Sequence, residues 1–342
     1  MSFIKKSLAT ATGIVLALAM AAPAFAQTVN AAQTGDQSID SSSGTSTNNL
    51  GYIDASAFQN VSGNVGVNVA AGNGNQQLNI AHVDNNSPSF AFSGEYNQSV
   101  TNTDWSDSSS GDNGYAYITD QAFQYADGNV GVNVAAGNIN QQQNAAFIVA
   151  DDRLDTEGIT SEQYADYNAC DSCGGNVAYV EGHAFDHANG NIGVNVTNGN
   201  GNQQINSLTI ASTSGSQNTS FEQTQGGNDY GDAYGNEYND SGNNSADIDL
   251  NAFNHVKGNV GVNVSAGNGN QQANRAEILL SDSNGAQSNT IEQEQYGLSA
   301  NGSDSNTAYL STNAFQNASG NIGVNVAAGN ANQQANSLTV IP

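Results

Sequence analysis

Five near-identical copies of one fifteen-residue sequence dominate this chain of 342 residues. Each copy reads G-N-[VI]-G-V-N-V, then two small or polar residues, then G-N-x-N-Q-Q, and successive copies begin 62 to 68 residues apart. Repeats of this kind are typical of chains built from stacked units, each of which buries its faces against its neighbours. The copies begin at Gly63, Gly128, Gly190, Gly258 and Gly320.

Within each copy, apolar and polar residues alternate, which is the pattern of a β-strand and not of a helix. In the first copy, Val65 and Val67 fall on one face and Asn68 on the other. Glycine and asparagine at 72–75 tolerate positive φ and predict a turn. Each unit therefore predicts three strands, which in the first unit cover residues 52–58, 64–71 and 76–83.

The predicted fold class is all-β, with five imperfect repeats stacked as cross-β layers of a β-solenoid or Greek key, and with the linkers looped out. The predicted repeats cover residues 51–84, 115–151, 177–212, 246–281 and 308–342. A polar segment at 27–50 precedes the first repeat. The predicted linkers are 85–114, 152–176, 213–245 and 282–307.

The linkers show a weaker repeat of their own. Residues 220–225 match residues 290–295, and Glu162-Gln163 resembles both segments. This weaker repeat also allows a short strand inside each linker.

Stacking the units in register places each repeated residue on its own kind. An amide both donates and accepts hydrogen bonds, so it suits such a column, whereas stacked carboxylates about 4.8 Å apart would repel one another. Valine columns would form a narrow dry seam. The predicted columns are Asn64, Asn129, Asn191, Asn259 and Asn321; Asn68, Asn133, Asn195, Asn263 and Asn325; Val67, Val132, Val194, Val262 and Val324; and Gln76, Gln141, Gln203, Gln271 and Gln333.

A single unit of about 35 residues would be marginal, because cross-strand pairs contribute roughly 0.2 to 1 kcal/mol each, against about 1 to 2 kcal/mol for ordering one backbone residue. The fifth unit is a faithful copy and not an atypical capping repeat. The sequence therefore predicts an uncapped end that docks a second copy of the chain, head to tail, in an open fibre.

The N-terminus has the pattern of a signal peptide. Lys5 and Lys6 precede an apolar run at 8–20, and Ala24-Phe25-Ala26 forms a small-x-small cleavage site. We predict export to the extracellular space with cleavage before Gln27. No other stretch approaches the roughly 18 apolar residues of a membrane span.

Composition excludes several classes of function. The chain has 5 Lys and Arg against 31 Asp and Glu, for a formal net charge of −26. It therefore has few cations to neutralise nucleic acid phosphates. The chain has 52 Asn, 26 Gln and 38 Gly, which is unlike a typical enzyme, and it shows no catalytic triad, phosphate loop or recurring carboxylate pair. The sequence predicts no enzyme activity and no cofactor.

Cys170 and Cys173 lie in a middle linker, near His183 and His187. A disulfide between the two cysteines suits an exported protein, and a redox role is the weaker alternative. A zinc site would need wider spacing between the cysteines and histidines, and the acidic linkers lack a calcium-loop motif, so no metal site is predicted.

The repeated motif G-N-[VI]-G-V-N-V-x-x-G-N-x-N-Q-Q resembles that of a known family, the secreted functional amyloids of pseudomonads, or Fap proteins. The fibre subunit of that family carries Gln/Asn-rich imperfect repeats separated by variable linkers. The resemblance implies export through an outer-membrane pore, a minor nucleating subunit, and assembly into fibres that contribute to biofilm matrix and surface adhesion. This chain departs in having five repeats instead of three and its C-x-x-C in a middle linker. The alternative is a cell-surface adhesin or ligand-binding β-solenoid that does not polymerise.

Overall fold

The computed structural model of the protein describes residues 29–40, 49–84, 90–101, 104–105, 114–150, 159–166, 169–170, 176–212, 217–226, 243–279, 287–296 and 305–340. Cys173 and the predicted signal peptide at 1–26 lie outside these residues. Among the described residues, no helix is long and apolar enough to cross a membrane.

The described chain forms 22 strands that fall into five successive layers. Layer 1 contains β1 (Val29–Asp40), β2 (Leu50–Ile53), β3 (Ser62–Ala71) and β4 (Gln76–Asp84). Layer 2 contains β5 (Phe90–Thr101), β6 (Asp104–Trp105), β7 (Gly114–Ile118), β8 (Asp127–Ala136) and β9 (Gln141–Ala150). Layer 3 contains β10 (Ile159–Asp166), β11 (Ala169–Cys170), β12 (Asn176–Val180), β13 (Asn189–Asn198) and β14 (Gln203–Ser212). Layer 4 contains β15 (Gln217–Gly226), β16 (Asn243–Ile248), β17 (Lys257–Ala266) and β18 (Gln271–Leu279), and layer 5 contains β19 (Gln287–Tyr296), β20 (Ser305–Leu310), β21 (Ser319–Ala328) and β22 (Gln333–Val340).

Corresponding strands of the five layers pair into four parallel sheets, one strand per layer, and β6 pairs with β11. We name the sheets by their residues. The linker sheet is β1-β5-β10-β15-β19, the tyrosine sheet β2-β7-β12-β16-β20, the asparagine sheet β3-β8-β13-β17-β21 and the glutamine sheet β4-β9-β14-β18-β22.

Pairing in the asparagine sheet is in register throughout. Gly63 lies beside Gly128, and every later residue of β3 lies beside its counterpart in β8, as do those of all following layers. The prediction of an all-β stack of repeats is confirmed, because each copy of the repeat lies on the next copy.

Each layer orders its strands as tyrosine, asparagine, glutamine and linker sheet. The valine face of the asparagine sheet packs against the tyrosine sheet around Ile118, Phe123 and Val132. Its asparagine face meets the glutamine sheet, and the far side of the glutamine sheet packs on Tyr96 and Phe221 of the linker sheet. The linker strand comes first in the chain but lies beside the last strand, which is the strand order of a Greek key.

The first predicted strand of each unit is shorter than expected. We predicted a strand over 52–58, but β2 ends at Ile53 and residues 54–60 form a turn. Ala55, Phe58 and Asn60 all have φ of 57°. This left-handed backbone normally disfavours residues with a Cβ. Stacking holds it in place, because each turn hydrogen-bonds to the next, as in Phe123 N–H to Ala57 O at 2.9 Å.

The predicted linkers are not looped out along their whole length, because each contains a strand of the stack. Strands β5, β10, β15 and β19 lie in the four predicted linkers, and β1 lies in the predicted polar segment. Glu162 and Gln163 pair with Glu222 and Gln223, so the weak linker repeat marks these strands. They are held because Tyr96, Gln98 and Val100 alternate inward along β5 and are buried.

Candidate functional site: amide columns and end layers

The asparagine sheet brings the predicted asparagine columns together. Asn129 Nδ2 donates to Asn64 Oδ1 at 2.8 Å, and the same bond joins every later pair of that column at 2.6 to 3.0 Å. In the Asn68 column all four bonds measure 3.0 Å. These side-chain bonds run beside the backbone ladder, as in stacked cross-β strands.

A further asparagine column ties this sheet to the glutamine sheet. Asn195 Nδ2 lies 3.0 Å from Asn133 Oδ1, 3.1 Å from Asn144 Oδ1 and 2.9 Å from Gln143 O. Asn206 Nδ2 in turn donates to Asn195 Oδ1 at 2.8 Å. The sequence prediction missed this column, although its residue recurs in all five copies: Asn79, Asn144, Asn206, Asn274 and Asn336.

The predicted glutamine column links the glutamine sheet to the linker sheet. Its four inter-layer bonds measure 2.8 to 3.0 Å. Gln141 Nε2 also donates to Gln98 O at 2.8 Å and to Tyr164 O at 3.1 Å. Two glutamine columns were missed: Gln77, Gln142, Gln204, Gln272 and Gln334, and in the linker sheet Gln37, Gln98, Gln163, Gln223 and Gln293.

The valine column lies on the opposite face of the asparagine sheet. Val132, Val194 and Val262 are fully buried. One phenylalanine in the turn of each layer stacks on the next, with ring centroids 4.8 to 5.0 Å apart. These corner phenylalanines are Phe58, Phe123, Phe185, Phe253 and Phe315. Apolar and amide columns thus occupy opposite faces of the same strands.

The end layers expose what the inner layers bury. Phe123, Phe185 and Phe253 have no exposed surface, whereas Phe58 in layer 1 is 40% exposed. Other large apolar side chains of layers 1 and 5 are also exposed. They are Leu50, Tyr52, Val83, Tyr309, Leu310, Ile322, Leu338 and Val340.

The amide columns have a direction. In the Asn64 column each layer donates to the preceding layer, so Asn64 keeps its amide nitrogen, and Asn321 its amide oxygen, without a column neighbour in the described chain. The Gln77 column runs the other way, from Gln77 Nε2 to Gln142 Oε1 at 2.7 Å. Within each column, the atom left at the outer face of layer 1 is therefore complementary to the atom left at the outer face of layer 5.

Glycines at the start of the repeat allow close backbone approach between layers. A Cβ on Gly128, Gly190, Gly258 or Gly320 would lie 2.0 to 2.4 Å from the glycine carbonyl oxygen of the preceding layer. The same Cβ on Gly63 would meet nothing within 4 Å. The space outside Gly63 is the space that a preceding layer would fill.

Carboxylates do stack in the linker sheet, where the column reads Asp36, Asn97, Glu162, Glu222 and Glu292. Partial burial, together with the charges of Glu222 and Glu95, raises the pKa of Glu162.

In layer 4 a buried ion pair joins Arg275 Nη2 to Glu277 Oε2 at 3.1 Å.

Among the described residues, one group places potential metal ligands close together. Single ligand atoms of Asp186, His187 and His255 lie within 4.8 Å of one another. The sequence pattern grouped His183 and His187 with the cysteines and not with His255, and Cys170 lies in β11. Superimposing the repeats would have placed His187 beside His255.

Comparison with known proteins relates the chain to a family of amyloid proteins. The model of the "Functional amyloid protein FapB/FapC family" matches residues 7–146, 97–278 and 227–341. The "Functional amyloid subunit FapC" of Pseudomonas aeruginosa is 32% identical over 253 residues, which cover 63% of this chain and 73% of that protein. No solved structure matches the chain.

Proposed function

Because the chain belongs to the functional amyloid protein FapB/FapC family, we propose that it self-assembles head to tail into extracellular fibres that contribute to biofilm matrix and surface adhesion. The family is one of amyloid proteins and not of enzymes. The proposal includes export through the signal peptide at 1–26, passage through an outer-membrane pore, and nucleation by a minor subunit, as the family resemblance implies.

The observation that carries the proposal is that the outer faces of layers 1 and 5 have no layer stacked on them in the described chain. Layers 1 and 5 repeat the residues that the inner layers bury, and their amide columns end in complementary atoms. A second copy of layer 1 on layer 5 would continue the backbone ladders and the amide columns in the same register. Its apolar columns would also bury apolar surface, and each Å² buried stabilises the junction by about 25 cal/mol.

Fibre diffraction tests the general proposal. Residues 27–342, diluted from denaturant, should form filaments with reflections near ~4.8 and ~10 Å. A β-rich protein that stays monomeric would contradict assembly and favour the non-polymerising adhesin.

A single methyl group tests the head-to-tail junction. In Gly63→Ala the added Cβ has open space within the chain. At the proposed junction it would press on Gly320 O of the next copy, as the inner equivalents would at 2.0 to 2.4 Å. We expect seeded elongation to slow strongly while the circular dichroism of the monomer stays unchanged.

Gly74→Ala is the matched control, because it adds the same methyl group to layer 1 at another glycine with positive φ. The repeats already carry Ile139 and Ala331 at that position, with φ of 64° and 57°. This variant should elongate like the wild type. Equal elongation rates for Gly63→Ala and the wild type would overturn the head-to-tail junction.

A further inference from the structure

Three polar side chains converge at the corner turns of layers 3 and 4. Asp186 follows the stacked phenylalanine of its layer, and the other layers carry an amide at that position: Gln59, Gln124, Asn254 and Gln316. The next position holds His187 in layer 3 and His255 in layer 4, whose rings stack with centroids 4.5 Å apart. The repeat thus replaces one amide by a carboxylate where two histidines lie in adjacent layers.

The carboxylate is buried and one of its oxygens faces both histidines. Asp186 is 5% exposed. Its Oδ1 lies 2.8 Å from His187 Nδ1 and 3.7 Å from His255 Nδ1. None of these three atoms is exposed or has a hydrogen-bond partner. Asp186 Oδ2, by contrast, accepts from Gln124 Nε2 at 3.3 Å and lies 3.3 Å from His183 Nδ1.

We propose that Asp186 Oδ1, His187 Nδ1 and His255 Nδ1 bind one Zn²⁺ ion that joins layers 3 and 4. Oδ1 is the oxygen of this buried carboxylate that accepts no hydrogen bond, and a cation beside it would offset the buried charge. Two imidazole nitrogens and one carboxylate oxygen are a common ligand set for zinc, whereas calcium and magnesium prefer oxygen ligands alone.

Binding requires the two imidazole rings to turn toward each other, because they stack with an angle of 19° between their planes. Ligands of a tetrahedral zinc lie about 3.3 Å apart, given metal–ligand distances of about 2.0 to 2.1 Å. The three ligand atoms lie within 4.8 Å of one another. The histidine side chains are 44% and 41% exposed, so the rings have room to turn and an ion can reach the site from solvent. Metal at Nδ1 leaves the proton on Nε2, so the Asn317 amide beside His255 Nε2 would turn its oxygen to that proton.

Isothermal titration of residues 27–342 with Zn²⁺ tests the site. The wild type should bind one ion per chain. The double variant His187→Asn/His255→Asn should bind Zn²⁺ at least about tenfold more weakly. Loss of a residue that only supports a metal ligand already lowers metal affinity by about 10- to 100-fold. Asparagine is the residue of layers 1 and 5 at this position, where Asn60 and Asn317 both have φ of 57°, so the corner should keep its fold.

Two controls separate this site from other zinc ligands. His82→Asn removes the histidine that lies away from Asp186, and Cys170→Ser/Cys173→Ser removes both cysteines. Both variants should bind Zn²⁺ like the wild type. Loss of binding in either control, retained binding in the double histidine variant, or no binding by the wild type would overturn the proposal.

X-ray absorption at the zinc edge of the loaded wild type supplies a measurement that needs no variant. A first shell of nitrogen and oxygen with imidazole scattering supports the site, and sulfur in the first shell overturns it. This test does not depend on fibre formation, so the zinc site and the proposed assembly stand or fall separately.

Discussion

Layers 1 and 3 carry the same repeat, yet the two differ in what they bury. Val194 and Asn195 in layer 3 have no exposed surface, whereas in layer 1 Val67 is half-buried and Asn68 is exposed. The residue types are the same, and only the number of neighbouring layers differs. A unit of this kind therefore obtains part of its burial from each adjacent copy, and the same substitution should have different effects at the end and in the middle.

The largest difference is expected for a charge in the Asn68 column. Asn195→Asp places a carboxylate among Asn133 Oδ1, Asn144 Oδ1 and Gln143 O, which accept from the present amide. An unpaired buried charge destabilises by about 3–5 kcal/mol. Asn68→Asp is exposed and should cost far less. Guanidinium unfolding of both monomeric variants measures the difference, and equal losses would contradict the comparison.

Loss of a corner phenylalanine should give the next largest difference. Phe185 is fully buried between two stacked rings, so Phe185→Ala should destabilise by about 3–5 kcal/mol. Phe58 has one ring neighbour and is 40% exposed, so Phe58→Ala should cost less than half as much. Thermal unfolding of the two variants checks the ratio, which should approach one in fibres if layer 1 becomes an inner layer.

A methyl group on the first glycine of the repeat should have a smaller effect on the monomer. Gly190→Ala brings Cβ to 2.3 Å from Gly128 O, and such overpacking costs about 1–3 kcal/mol. Gly63→Ala has a similar positive φ, 97° against 111°, but no such contact. The comparison therefore isolates the inter-layer contact from backbone strain. A Gly63→Ala monomer as unstable as Gly190→Ala would show that strain alone is responsible.

Acid should have the smallest effect. A carboxyl group whose pKa is raised in the folded chain binds more protons there, so its contribution to stability is full below the unfolded pKa and is lost as pH rises through the folded pKa. Glu162 is such a group. We expect Glu162→Gln to stabilise the monomer near pH 7 and to be neutral near pH 3.

Urea unfolding at both pH values measures this dependence. Asp36→Asn is the control, because Asp36 lies at the end of the same column with only Asn97 beside it. A stabilisation by Glu162→Gln that does not change with pH would rule out carboxylate repulsion as its cause.

Much of the asparagine sheet was predictable from the sequence. The five copies of G-N-[VI]-G-V-N-V can align with each other in one way only, so Asn64 had to lie beside Asn129 once stacking was assumed. The Gln77 and Asn79 columns carry the same signal in the same repeat. The linker strands were harder to predict, because only Glu162-Gln163 and two short matching segments mark them.

The sequence by itself determined the β-structure, the number of layers and the register, because identical residues at repeated positions satisfy one another when they stack. Only the tertiary structure decided which sheets face each other and how residues 54–60 turn, because those depend on packing between strands distant in sequence. It also turned the Asp186 carboxylate toward His187 and His255, whereas the repeat spacing only places the two histidines in adjacent layers. The faithful fifth copy predicted an uncapped end, but the extent of exposure in each end layer depends on the neighbouring layer and not on the residue itself.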